Sequence, residues 1–374
     1  MISEFKISSM YLEDDSVMAN LTTLSAIILA STLQISSFEF VGNADGSIDE
    51  DGHTTMTLRN GVAMSDLAPF EDGVVSAEIF LVPGRAFTGV IFRAEDHDSG
   101  EIFYLRHHQS GNPDAWQYHP RYNGREAYQI YQGEGFGGAQ DLPLGRWASL
   151  TLTICGSSAR ATIDGEVVAE MNNLMREPAP GSIGFWALRG ERQIRNVKYT
   201  PVDLQTCPRR PAASAVPQAL AGDDAATPIP HWHVSDAMSR DDARRLIGQP
   251  ADRRHIVAAT HRGIADLNPI APFTKERDTV IASIAIDADD ETIAMLDFGF
   301  SDEAEVYLNG DLLFVGVDHF RSRDYRFLGT MGLYDSVPLR LKAGENDLQI
   351  IIREVEGGWG VSGQIRDLGT STIR

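Results

Sequence analysis

The segment GRWASLTLTICGSSARATIDGEVV, Gly145 to Val168, decides the fold. Its run "WASLTLTICG" is rich in β-branched residues, and so is "ARATIDGEVVAEM", which starts inside it. Side chains of a strand alternate between faces, and β-branched and aromatic residues suit a pleated, half-buried surface. Gly and Asp stand at the breaks between the runs. Moving outward, "TTMTLRNG", "GVVSAEIFLV", "FTGVIFRAED", "EIFYLRHH" and "GSIGFWALRG" repeat this composition between Phe38 and about Thr200, and no helical period persists there. Evenly spaced short strands without intervening helices imply a sandwich or jelly roll.

Downstream, Cys207 to Pro230 (CPRRPAASAVPQALAGDDAATPIP) is rich in Pro and Ala and lacks large aromatic residues, as a linker does. "SRDDARRLIG" then predicts a short helix, after which strands resume. In "VYLNGDLLFVG" the pair Asn309-Gly310 predicts a tight hairpin, because both residues accept positive φ. The expected fold class is all-β, with two β-sandwich (jelly-roll) domains joined by a Pro/Ala-rich linker. The expected division is 1-36 for a leader or export signal, 37-203 for the first sandwich, 204-230 for the linker and 231-374 for the second. No internal repeat relates the halves.

At 374 residues the chain is long enough for two cores. Its net charge of -21 would repel a phosphate backbone, and no basic patch overrides it, so nucleic acid is excluded as a partner. The two cysteines, Cys155 and Cys207, lie in unlike contexts and are not a disulfide framework; they read as two free thiols, with a single bridge between them geometrically possible. The apolar run Leu21 to Leu33 has signal-peptide length and is too short to span a bilayer, but the residues before it are acidic rather than basic. If the run is an export signal the protein is secreted or periplasmic; otherwise it is cytoplasmic. The oligomeric state is left open.

"FEDGVVSAEI", "FTGVIFRAED", "FYLRHH", the Gly145–Val168 segment and "GSIGFWAL" together resemble the concanavalin A-like, laminin G-like jelly roll, in particular its 3-keto-disaccharide hydrolase and laminarinase-type domains. "FSDEAEVYLNGDLLFVG", "LKAGENDLQIII" and "GGWGVSGQI" resemble the galactose-binding-like sandwiches appended to many carbohydrate-active enzymes. These resemblances imply a glycan as ligand, bound across a concave sheet. They do not choose an activity, since such folds host lectins, lyases and hydrolases alike.

The candidate site is centred on FYLRHHQSGNPDAWQYHPRYNG, Phe103 to Gly124. Alternation sets Tyr104, Arg106 and His108 on one face and Phe103 and Leu105 on the other, and it gives Arg93 the same outward position on a neighbouring strand. Arg93 and Arg106 would hold a ligand through their guanidinium forks, and His108 would move a proton. Asp114 would orient a partner and Tyr118 would assist. Tyr104, Trp116, Gln117, Tyr122 and Asn123 complete the substrate-binding set. Trp116, Tyr122, Tyr128 and Tyr131 offer aromatic platforms for a sugar ring, or else form loop core. The same Arg, His and Asp residues could instead be a network that pins the loop.

"QYH", Gln117 to His119, resembles the Gln-x-His signature of jelly-roll alginate lyases, although the companion Tyr-Phe-Lys motif is missing. The laminarinase-type Glu-x-Asp-x-x-Glu strand is absent too, which argues against a retaining carboxylate pair spaced about 5 Å apart. Two acidic loops, "NADGSIDED" with Asp45, Asp49 and Asp51, and "DHDSGE", offer oxygens to a structural Ca2+; the second also reads as a solvated hairpin turn. His231 and His233 in "HWHV" lack a third ligand. Trp359 reads as core, and "DHFRSRDYRFLG" as a clamp on the first domain or a substrate contact. The expectation is a carbohydrate-active protein, a glycan-cleaving hydrolase or lyase. A non-catalytic lectin or adhesion module, or an enzyme acting on a non-sugar small molecule in the same groove, remain open beside it.

Overall fold

A computed structural model describes residues 31–32, 37–48, 52, 54–67, 69–201, 226–250, 254–270, 273–323 and 329–374. In the first half, antiparallel strands follow the order Glu166–Met171, Ser158–Ile163, Arg146–Cys155, Gly73–Leu81, Ser182–Pro201, Phe87–Asp96, Ser99–Arg106, Trp116–Arg121 and Gly137–Gly138. Phe38–Ile48 pairs with Thr54–Ser65, which in turn pairs with Ser182–Pro201. That 20-residue strand changes partners along its length: Ser182–Leu188 lies beside Phe87–Asp96, and Ile194–Pro201 beside Gly73–Leu81. The register with Thr54–Ser65 shifts between Ala187 and Glu191, where Arg189 and Gly190 take positive φ. One strand thereby serves both layers around the core.

Gly145–Val168 forms a hairpin whose Leu150, Leu152, Ile154, Ala159, Ala161 and Ile163 are buried, while the intervening Ser149, Thr151 and Thr153 reach toward solvent. Asp164 (φ 53°) and Gly165 (φ 89°) close its second turn, a conformation Gly adopts without a Cβ penalty. Cys155 is disulfide-bonded, which corrects the expectation of two free thiols. The chain's other cysteine, Cys207, lies outside the described residues, as do most of the Leu21–Leu33 run and of the linker.

The second half has two sheets. One orders Thr227–Pro228, Gly360–Arg366, Thr292–Ser301 and Asp335–Leu341; the other orders His255–Ala258, His231–Val234, Thr279–Ala288, Gly344–Arg353, Glu303–Leu308 and Asp311–Val317. Trp232, Trp359, Phe298 and Phe300 are fully buried between them. The helix forms at Arg240–Leu246, with the Ser239 hydroxyl accepting from the Asp242 N–H as its N-cap. Asn309 (φ 53°) and Gly310 (φ 86°) make the predicted hairpin turn. Among the described residues no strand pairs across the two halves.

The halves meet instead through the segment between Trp116–Arg121 and Gly137. Gln129, fully buried, donates its N–H to Gly357 O (2.9 Å), accepts from the Met331 N–H (2.9 Å) and from the Ser301 hydroxyl (2.9 Å), and donates to Asp302 (3.3 Å). The Tyr131 hydroxyl donates to Asp266 at 2.8 Å, and Arg125 to Glu354 at 3.2 Å. Tyr131 is thus core at this junction and offers no platform to a sugar, while Tyr128, half-buried, packs beside Gly357.

Candidate functional site

Cross-strand register builds the site. On the sheet face turned away from the main core, one row runs Gln117, Tyr104, Gly89, Trp186, Val62 and Val41, and the next runs His119, Ile102, Ile91, Gly184 and Met64. Each residue stands opposite its neighbour in the adjacent strand, so the side chains of a row contact one another. Tyr104 meets Trp186 edge-on at 5.6 Å and His119 edge-on at 5.7 Å. Tyr104 and Trp186 form an apolar cluster with Met64, Ile91 and Ile102, separate from the main core. Gly89 is required here, since a Cβ on it would stand 2.8 Å from the Phe103 carbonyl oxygen and from Tyr104 Cβ.

The polar groups on this face are organised. The Tyr104 hydroxyl donates to Gln117 Oε1 at 2.5 Å. His119 sets Nδ1 2.9 Å from the Pro120 carbonyl and Nε2 3.1 Å from Glu126. Both ring nitrogens therefore face oxygen acceptors. Burial opposes the ionisation of Glu126, but the hydrogen bond and charge of His119, with Arg121 beyond, hold it below the usual carboxylate range. Arg121 Nη2 lies 3.7 Å from Asp98 and 3.9 Å from Glu126, while its Nε and Nη1 are buried without a hydrogen-bond partner.

At the other end of the face Arg106 forms an ion pair with Asp114 and lies 5.9 Å from the Phe87 ring centre, its Nε buried and unpartnered. His108 belongs to the 3-10 turn His107–Gln109 and not to the strand. Its ring meets Phe87 edge-on at 5.1 Å, its Nδ1 is buried and unpartnered, and burial, then the nearby Arg106 charge, push its pKa below the ordinary histidine value. Next to it, His107 is fully buried and bonded to Thr88 and Val82, and burial pushes its pKa down to about 4.

The structure thus brings Tyr104, Arg106, Gln117, His108 and Asp114 to one face or its rim and takes other expected residues away from it. Arg93 is the main correction. Its φ of 48° marks a bulge, and the register of its strand slips between Phe92 and Asp96. The side chain turns inward to Asp72 (2.8 Å), Glu101 (3.8 Å) and the Glu71 carbonyl. Trp116 and Tyr118 alternate into the core; the Tyr118 hydroxyl donates to Glu101 and accepts from the Met175 N–H at 2.6 Å. Asn123 occupies a turn at φ 52°, and the Tyr122 ring is covered by Arg176 at 4.8 Å. The Asp45 carboxylate is held by Arg59 at 2.8 Å, and Asp49 and Asp51 lie outside the described residues. Among the described residues no group of three or more His, Cys, Asp or Glu is placed to hold a metal ion.

The sequence reading named His119 only through its motif and missed Arg121, Glu126, Phe87 and Trp186. Carrying the period-two pattern through "WQYHPR" would have put Gln117, His119 and Arg121 on one face. No local signal points to Glu126, which reaches His119 across a turn.

No family model matches the chain, and no curated protein matches it. Among solved structures it is similar to a carbohydrate binding module, CBM66, from Bacillus subtilis (13% identity, TM-score 0.34, 44% of this chain and 95% of that one). It is also similar to a Bacillus subtilis protein of unknown function with a galectin-like fold (12%, 0.35, 49% and 100%) and to Bacillus licheniformis beta-glucanase (10%, 0.32, 47% and 92%). At these identities and scores no argument about activity is drawn from them.

Proposed function

We propose that the outer face of the first sandwich binds a glycan. The observation that carries this reading is the set of buried guanidinium donors without partners, Arg106 Nε and Arg121 Nε and Nη1, on a face lined by the half-buried Phe87 ring and the buried Tyr104 and Trp186 rings. An unsatisfied buried polar group costs about 1–3 kcal/mol, and a polyhydroxylated ligand supplies acceptors at the required density. Aromatic rings complement the apolar face of a sugar.

Cleavage is the finer part of the proposal. We assign the proton transfer to His119, buried beside Glu126 and two positions from Gln117, with Arg121 and Gln117 polarising an acidic or hydroxyl-bearing substrate. His108 and Asp114, on the rim with Arg106, position the chain of sugars. The experiment is a panel of neutral and uronate-containing polysaccharides read for binding and for product. In the enzyme reading, His119→Ala abolishes product formation while binding survives, and Arg121→Ala weakens binding about tenfold, as loss of a charge-assisted hydrogen bond does. Binding without product on every substrate would make this a lectin-like module. No binding at all would overturn the glycan reading.

A further inference from the structure

Where the second sandwich meets the 122–137 segment, a cavity of about 190 Å3 opens between Gln132 on one side and Arg262, Ile264, Met331, Tyr334 and Ser362 on the other. Arg262 is held in the left-handed region (φ 49°, ψ 35°), and its guanidinium lies against Gly133. A Cβ on Gly133 would stand 2.5 Å from Arg262 Nη2, so the exposed guanidinium packs directly on the bare glycine. Among the described residues no carboxylate pairs with Arg262, in a chain with 53 acidic residues against 32 basic ones. Ser362 is fully buried, and its hydroxyl has no hydrogen-bond partner. Gln132 donates its Nε2 to the Met331 carbonyl at 3.1 Å, which leaves its amide oxygen as an acceptor at the cavity wall.

We infer that this cavity binds a single sugar acid, with the carboxylate on Arg262, hydroxyls on Ser362 and Gln132, and the apolar ring face against Met331 and Ile264. An unpaired guanidinium selects an anion, and its planar fork matches a carboxylate. One cation over a partly apolar floor suits a monoanion better than a phosphate dianion. The volume is below the roughly 300–1,000 Å3 of sites for larger ligands, which limits the occupant to about one ring. The inference does not depend on the glycan face of the first sandwich.

The test is calorimetric titration of the full chain with glucuronate, glucose, acetate and inorganic phosphate. Glucuronate is expected to bind roughly tenfold or more tightly than glucose or acetate, the carboxylate and the hydroxyls both being needed. Arg262→Asn, which keeps a residue tolerant of the left-handed backbone, should lose that preference, and Ser362→Ala should weaken binding several-fold without lowering the melting temperature. Arg262→Asn should leave polysaccharide binding at the outer face intact, which separates the two sites. Absence of glucuronate binding, equal binding by Arg262→Asn, or tighter binding of phosphate would overturn the inference.

Discussion

Arg93 and Arg106 look alike in the sequence and differ in what they do. Arg93 is almost completely buried with Asp72 and Glu101, so Arg93→Ala would leave two buried carboxylates without their cation. A loss of about 3–5 kcal/mol is expected in a thermal or urea melt. Arg106 and Asp114 are only partly buried, and Arg106→Ala should cost less than Arg93→Ala, about 1–2 kcal/mol, while impairing glycan binding. Leu105, next to it but in the core, should show the reverse: Leu105→Ala loses about 2–5 kcal/mol and acts on binding only through the fold. Equal destabilisation by Arg106→Ala and Arg93→Ala would show that the rim pair, too, is structural. The residue types were legible in the sequence, but the backbone torsion that turned Arg93 inward was not, because a bulge depends on its partner strands.

At the scale of elements, alternation in Trp116–Arg121 divides the strand between two environments. Trp116 and Tyr118 fill the core, while Gln117, His119 and Arg121 line the outer face. Gly89, beside Tyr104 in the register, keeps the two strands close. Gly89→Ala has to push against a backbone carbonyl as well as the tyrosine. It should therefore cost about 1–3 kcal/mol and alter the near-ultraviolet spectrum of the Tyr104–Trp186 pair. An unchanged melt and spectrum would show that the strands can part without cost. Hairpins such as Asn309-Gly310 were readable because their chemistry is local, and pairs such as His119 and Glu126 were not, because the turn between them sets the distance.

At the scale of the molecule, the junction holds buried acids. Burial, and then the neighbouring Asp302 charge, push Glu354 up to about 8 from an ordinary value of 4.5 despite Arg125; burial raises Asp302 as well. The folded protein therefore keeps a proton that the unfolded chain releases between pH 4.5 and 8. This contribution to stability is complete below pH 4.5 and is lost as pH rises through 8, at ~1.4 kcal/mol per pH unit for one proton. Urea unfolding at pH 5, 7 and 9 should show the decline, and Glu354→Gln should flatten it; an unchanged slope would count against this role. A protease site placed within residues 207–230 should yield two fragments that co-elute, since Gln129, Tyr131 and Arg125 bind across the junction independently of the linker. Fragments that separate in native buffer would show the junction too weak to hold by itself.

The sequence by itself determined the strands, the turns and the all-β class, because period-two alternation, β-branched composition and Gly or Asn at positive φ act over neighbouring residues. It also determined that Phe103 and Leu105 oppose Tyr104 and Arg106. Only the tertiary structure decided which polar residues share a face and which are buried partners. It placed Arg93 and Tyr118 in the core, Tyr131 at the junction, and Arg121 and Glu126 beside His119. The physical reason is range: strand propensity is set within a few residues, whereas burial and pairing depend on long-range contacts such as those joining Arg125 to Glu354, 229 positions apart.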